Sequence, residues 1–443
     1  MRLSVEEITR MTGARGRAGP EVVEGYSIDS RTLRPGEMFF AVRGERDGHA
    51  FVDAALDAGA AAAVASRGPL RRQERLLLVP DPKTALQQLA ARARESWGGK
   101  VVAVTGSNAK TTTKEIAAAL LGTRFRVARS EGNLNNDLGL PLSLLRMDES
   151  AEVAVLEMGM SHPGELRLLA SIARPDVGVV TNVSAAHLEF FPSQDEIAMA
   201  KRELIESLPA AGTAVLNADD ERVREFAAAH PGPVVRFGIE APAEVRASEV
   251  ESLGLEGTRF RLADGGPVFE APLAGRHNLY NVLAGLAAGV ALGIAPEEMR
   301  EAVAALRPQR MRGEVLEVGG ARVINDCYNS NPRAAESMLE LLAATPAKRR
   351  VAVLGEMLEL GEASESLHRH VGRKAAEAGI DIVIGVSGMA RALAEQANGT
   401  FFDDAPAAGQ FLRGALQPGD VVLLKASRGV RLEQAMAALK TEN

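Results

Sequence analysis

A single cysteine, Cys327, stands among 443 residues, so no disulfide can form within the chain, which fits a reducing compartment. No long basic run occurs, and the net charge is −7. That argues against nucleic acid as the main partner; a phosphorylated ligand must meet positive charge locally. No stretch approaches the roughly 18 apolar residues of a membrane span, and Met1 to Glu7 carries no apolar core of signal-peptide length. These absences predict a soluble cytoplasmic protein. Internal repeats, low-complexity segments and the G-x-G-x-x-G dinucleotide fingerprint are also missing. What is present is 46% hydrophobic and 25% charged residues, in a chain too long for one core and suited to two to four domains.

The most informative stretch is Lys100-Val-Val-Ala-Val-Thr-Gly-Ser-Asn-Ala-Lys-Thr-Thr-Thr-Lys-Glu115. Val101 to Val104 is a short apolar β-branched run and predicts a buried parallel strand. Small polar residues follow, then Glu115 to Leu121, a good helix former. A strand, a Gly-containing turn and Lys-Thr-Thr at a helix start make a phosphate cradle, because helix N-terminal N–H groups and the dipole favour an anion. Lys110 is expected to reach the β/γ-phosphates and the Thr111 hydroxyl to bind Mg²⁺. The spacing departs from G-x-x-x-x-G-K-[ST], since Val104 and Ala109 replace the two glycines. With positive φ, Ala109 carries about 1 kcal/mol of strain; with negative φ, almost none.

Residues 1–82 read as a small separate α/β unit, with Ser4 to Glu7 capping a first helix. Its Ser30, Arg31 and His49 either hold a phosphorylated or sugar ligand or form a solvated loop. Pro80 and Pro82 mark its end. In 83–308, the strand Val153 to Gly159 carries Glu157 near its C-terminal end, where parallel sheets gather ligands. A buried acid there calls for a cation, and Mg²⁺ is a natural partner. The strand Asp176 to Val183 delivers His187 to the same edge. Gly132 to Pro141 is rich in Asn and predicts a loop of amide donors and acceptors. Residues 234–272 alternate between short runs and Gly turns, which predicts a small antiparallel element. Asn278 and Asn281 share a helix face, suited to an adenine edge. From 309 onward, strands at 321–326, 350–355, 381–385 and 420–425 alternate with helices and predict a doubly wound parallel sheet.

Thr105-Gly-Ser-Asn-x-Lys-Thr-Thr, Glu157 after a strand, Asn182-x-x-x-x-His187, Lys201 and His277-Asn-x-x-Asn281 together resemble the Mur ligase family. Gly132 to Pro141, Asp326 to Pro332 and Leu354 to Gly361 are similar to the member that joins D-alanyl-D-alanine to UDP-N-acetylmuramoyl-tripeptide. The resemblance implies three domains. These are a UDP-substrate domain (1–82), a central parallel-sheet ATP-binding domain with a mononucleotide-binding phosphate loop (83–308) and a C-terminal Rossmann-like ligase domain (309–443). It implies an ATP-dependent amide ligase of peptidoglycan precursor synthesis, acting as a cytoplasmic monomer through an acyl phosphate. ATP would meet Gly106, Ser107, Asn108, Ala109, Lys110, Thr111 and Thr112, with Asn278 and Asn281 at adenine, Arg310 at the phosphates and Asp326 at the ribose. Thr111 and Glu157 would hold one Mg²⁺, His187 would help hold a second, and Lys201 matches a carbamylated position. Asn133, Asn135 and Asn136 would face the growing peptide; Asn329, Asn331, Lys425 and Arg428 would face the dipeptide. Two other readings compete: a polyglutamylating or cyanophycin-type ligase, and a nucleotide-binding protein without activity, which only Ala109 favours.

Overall fold

The computed structural model describes residues 1–16, 19–67, 73–185 and 189–440, and among these the strands form three sheets. The first holds β1 (Arg15–Gly16), β2 (Gly25–Ser27), β3 (Glu37–Phe40), β4 (Ala62–Ala65) and β5 (Leu76–Leu78), in the order β1-β5-β4-β3-β2. Its pairs are parallel except β1 with β5. The helix Val5–Thr12 begins in a capping box: the Ser4 hydroxyl accepts from the Glu7 N–H, and the Glu7 carboxylate accepts from the Ser4 N–H. Pro82 does not break structure as expected. It is the first residue of the helix Pro82–Trp97, where a fixed φ suits the first turn and no N–H is needed; Asp81 caps it.

The second sheet is built from β6 (Lys100–Thr105), β7 (Val127–Arg129), β8 (Val153–Glu157), β9 (Val177–Val180), β10 (Thr213–Asn217), β11 (Val234–Gly238), β12 (Val245–Ser252), β13 (Thr258–Leu262) and β14 (Val268–Ala271). The order is β14-β13-β12-β11-β10-β9-β6-β8-β7. Within the expected antiparallel stretch at 234–272, β12, β13 and β14 are antiparallel, and they extend this sheet rather than standing apart from it. β11 pairs parallel with β10 and β12 parallel with β11, and only β12-β13-β14 are antiparallel. β6 lies between β8 and β9, all three parallel and buried, so their carboxyl ends open on one edge.

The third sheet contains β15 (Glu314–Val318), β16 (Ala321–Asp326), β17 (Arg349–Gly355), β18 (Ile382–Val386), β19 (Thr400–Phe402) and β20 (Asp420–Lys425). Its order is β15-β16-β20-β17-β18-β19, parallel except for the edge strand β15. This is the doubly wound arrangement expected, with two short edge strands added.

The first two sheets are joined through their interiors. Ile8, Tyr26 and Phe40 belong to one buried cluster with Leu86, Leu89, Leu140 and Leu144. The Arg146 guanidinium seals it, donating to the Tyr26 carbonyl at 2.9 and 2.7 Å. The first unit therefore has its own sheet but shares one face of its core. The third sheet has apolar clusters on both faces, and one of these also takes in Leu255 and Ala274 from the second unit.

Leu89→Ala is expected to lower stability by about 2–5 kcal/mol and to shift the urea transitions of the first two units together. Trp97 fluorescence and amide exchange in β3 and β4 would follow them separately. Two well-separated midpoints in the wild-type protein would show that the shared core does not couple them.

Candidate active site

The turn after β6 is held by close backbone approach. Gly106 has φ 153°, and a Cβ there would lie 1.8 Å from Thr181 Oγ1, so a side chain is excluded. The end of β9 then grips the loop. Ser107 N–H donates to the Asn182 carbonyl at 2.9 Å, Asn108 N–H to Asn182 Oδ1 at 3.0 Å, and Thr181 Oγ1 to the Asn108 carbonyl at 2.7 Å. Ser184 N–H donates to Ser107 Oγ at 2.9 Å. Ala109 adopts φ 65°, ψ 6° and opens the helix Lys110–Leu121 with no side-chain cap. The first N–H groups of that helix are thus left for an anion. Positive φ at Ala109 is the strained alternative, worth about 1 kcal/mol.

The Lys110 amine folds back onto the Gly106 and Ser107 carbonyls at 2.9 and 3.2 Å. Burial lowers its pKa, Glu157 opposes that shift and Arg312 adds to it. Glu157, 2% exposed at the end of β8, accepts a hydrogen bond from Asn135 Nδ2 on Oε1 at 2.7 Å. Its Oε2 is buried without a hydrogen-bond partner among the described residues. A buried carboxylate oxygen in that state, lining the same cleft as the Thr111 hydroxyl at a helix start, fits a hard divalent cation. Lys201, on the helix Gln194–Glu206, is 1% exposed, and its pKa is drawn well below the ordinary value, first by burial and then by the Lys110 charge. His187 lies outside the described residues.

The third unit closes the other side of a cleft of about 1800 Å³. Arg312 donates to Thr111 Oγ1 at 3.0 Å and lies 4.0 Å over the Tyr328 ring. Asn331 Nδ2 donates to Asn108 Oδ1, while Asn331 Oδ1 caps the helix Pro332–Ala344. Lys425 pairs with Asp326 at 2.6 Å and donates to the Asn329 carbonyl at 3.1 Å, so the nucleotide and dipeptide candidates form one pair. Arg428 pairs with Glu433 at the cleft wall.

Most of the residues singled out in the sequence line this cleft, Thr112, Asn133, Asn136, Asn278, Asn281 and Asn329 among them. Asn278 donates to the Ala274 carbonyl at 2.8 Å and accepts from Asn281 at 3.1 Å, which fixes both amides at the head of the helix Arg276–Ala291. Asn136 accepts the Gly139 N–H at 2.8 Å. Two expectations need correction. Arg310 is exposed and is not among the described residues that line the cleft, whereas Arg312 is. The Gln309–Arg312 bridge and the left-handed Met311 (φ 61°) turn the chain between the two arginines. His49 is a structural residue: its Nε2 accepts from Ser66 N–H at 3.0 Å, which leaves the proton on Nδ1, donated to Asp47 at 2.6 Å. Asn135 lines the cleft as expected, with its amide Nδ2 donating to Glu157 Oε1. Ser30 and Arg31 are not among the described residues that line the cleft, and Arg31 folds onto Asp29 at 2.6 Å. Arg312 and Asn182 are the residues sequence reasoning passed over as site residues. For Asn182 the signal was its place at a strand end facing the loop.

The chain matches the Mur ligase middle domain over residues 104–289 and the Mur ligase glutamate ligase domain over 310–428. Residues 22–94 match the Mur ligase family catalytic domain. It is 36% identical to the UDP-N-acetylmuramoyl-tripeptide--D-alanyl-D-alanine ligase of Bacillus subtilis, covering 98% of this chain and 97% of the other. A crystal structure of MurF from Acinetobacter baumannii superposes with a TM-score of 0.93 at 30% identity, covering 99% of both chains. MurF ligase from Thermotoga maritima, solved with ADP, superposes with a TM-score of 0.85 at 32% identity, covering 94% of this chain and 96% of that one.

Ala109→Gly should relieve the left-handed strain and change the Michaelis constant for ATP by no more than about tenfold, the equivalent of 1.4 kcal/mol, with turnover little altered. A wild-type protein that binds no ATP beside a glycine variant that does would mean that Ala109 disables the loop.

Proposed function

The chain belongs to the Mur ligase family, and from that premise we propose that it joins D-alanyl-D-alanine to UDP-N-acetylmuramoyl-tripeptide at the expense of ATP, in peptidoglycan precursor synthesis. The observation that carries this reading is agreement along the whole chain, in sequence and in fold, with ligases of that name. The three sheets support assigning residues 1–82 to the UDP-linked substrate, 83–308 to ATP and 309–443 to completing the ligase site.

The reaction proceeds through an acyl phosphate. The terminal carboxylate of the tripeptide attacks the γ-phosphorus and ADP leaves; the dipeptide amine then attacks the acyl carbon, loses its proton and expels phosphate. Both steps concentrate negative charge, so the site has to neutralise and position more than it has to supply a strong nucleophile. The helix Lys110–Leu121 offers its free N–H groups to the phosphates. The Lys110 amine leaves the loop carbonyls it now holds and follows the γ-phosphoryl group. Arg312 reaches the same region from the third unit, through its seat on Thr111. Glu157 and Thr111 would hold one Mg²⁺ and His187 would help hold a second, and these ions would supply charge neutralisation when bound. Asn278 and Asn281 suit the adenine edge and Asp326 the ribose. Asn133 and Asn136 are proposed to face the tripeptide, and Asn329, Asn331, Lys425 and Arg428 the dipeptide.

Lys201 is read as a carbamate. Burial and the Lys110 charge both lower the Lys201 pKa, which favours the neutral amine, the form that adds carbon dioxide. The product is an anion, which suits the neighbourhood of Lys110 and a metal. Among the described residues no helix is long and apolar enough to cross a membrane. A cytoplasmic monomer that serves cell-wall growth, cell shape and division completes the proposal.

ATP, UDP-N-acetylmuramoyl-tripeptide and D-alanyl-D-alanine together should release phosphate; release with a free amino acid and not with the dipeptide would overturn the assignment. Lys201→Ala should lose most activity and regain part of it with short carboxylic acids in the buffer. Full activity in the untreated alanine variant would remove Lys201 from the mechanism.

A further inference from the structure

Asn135 makes three contacts that belong together. Its side-chain Nδ2 donates to Glu157 Oε1 at 2.7 Å. Its backbone carbonyl accepts the Gly159 N–H at 2.8 Å, two residues past that carboxylate. A Cβ on Gly159 would lie 3.0 Å from the Asn135 amide, so the glycine makes room for it. The strand end is also pinned from its other side: Glu157 N–H donates to Ser130 Oγ at 3.1 Å, and Thr105 Oγ1 donates to the Met158 carbonyl at 2.9 Å. The Glu157 backbone is thereby immobile, and the carboxylate keeps one main freedom, rotation about its own side-chain bonds. The Asn135 hydrogen bond removes that freedom. A carboxylate can only accept, so the amide must present its NH₂ to it. One oxygen is satisfied, and the other, Oε2, is left buried and unpartnered.

We infer that Asn135 is the positioning residue that turns the free oxygen of Glu157 toward the phosphate loop, and that it ties this carboxylate to the loop carrying Asn133 and Asn136. The inference rests on the reading of Glu157 as a metal ligand. It gives Asn135 a role in divalent-cation affinity, through Glu157, in place of direct contact with the peptide. Outer-shell partners of this kind typically change metal affinity by about 10- to 100-fold. The same tie makes the loop and the cation site mutually dependent, because displacing the loop releases the carboxylate.

The test is Mn²⁺ binding to the full-length protein with ADP, followed by electron paramagnetic resonance, with the unfolding midpoint measured for each variant. Asn135→Ala and Asn135→Leu, the latter close to asparagine in shape but without the donor, should each weaken Mn²⁺ binding by about tenfold or more. Asn135→Gln, which keeps the donor on a longer arm, should recover part of that loss. Having two donor-free variants lets the result stand if one of them does not fold. A folded Ala or Leu variant that binds Mn²⁺ within twofold of wild type overturns the inference, as does a Gln variant no better than both. Glu157→Gln separates the two levels. If it leaves Mn²⁺ affinity unchanged, the metal reading of Glu157 fails; if it weakens binding while Asn135→Leu does not, only the role of Asn135 fails.

Discussion

The approach of Gly106 to Thr181 governs the arrangement of the cleft. β6 and β9 are adjacent parallel strands, so the turn leaving one passes directly over the end of the other. Only a residue without a side chain allows that passage, and once made, it brings loop groups within reach of Thr181, Asn182 and Ser184. Those bonds set the angle at which the helix Lys110–Leu121 leaves the sheet. The helix in turn sets where its free N–H groups point and where Thr111 meets Arg312. A loop held this firmly also explains how Ala109 can sit at positive φ: the surrounding bonds over-determine its conformation.

What could be read from the sequence was local. The strand, turn and helix around Lys110, and Glu157 at the end of a strand, follow from short-range pattern and parallel-sheet logic. What could not be read depended on distant chain or on a single backbone torsion. β11 and β12 resembled a separate antiparallel element because their parallel pairing to β10 leaves no local periodic trace. β15 and β19 are edge strands, and β19 spans only three residues, too few for a pattern. Arg310 and Arg312 have the same chemistry and differ by the turn at Met311, which side-chain identity does not announce. For His49 the sequence left a ligand contact and a solvated loop both open, because the Ser66 N–H that satisfies it lies on another segment.

The electrostatics of the cleft are arranged around two amines. Burial lowers the pKa of both; the Lys110 charge lowers that of Lys201 further, while Glu157 is the main charge that opposes the shift of Lys110. With one of its oxygens committed to Asn135, that carboxylate is a poor permanent partner for either. The arrangement is therefore electrostatically incomplete in the protein alone, and it favours ligands that bring both a cation and anionic oxygens.

The buried cluster that runs from Phe40 to Leu144 has a mechanical meaning as well. With the first sheet and the phosphate loop anchored to one core, the distance between them behaves as a fixed gauge. A molecule that reaches from one to the other must match that length, because neither end can shift to meet it. The third unit meets the phosphate loop across the cleft through side-chain hydrogen bonds such as Arg312 to Thr111 and Asn331 to Asn108. The molecule thus pairs two units fused through one apolar core with a third that meets the phosphate loop through polar side chains.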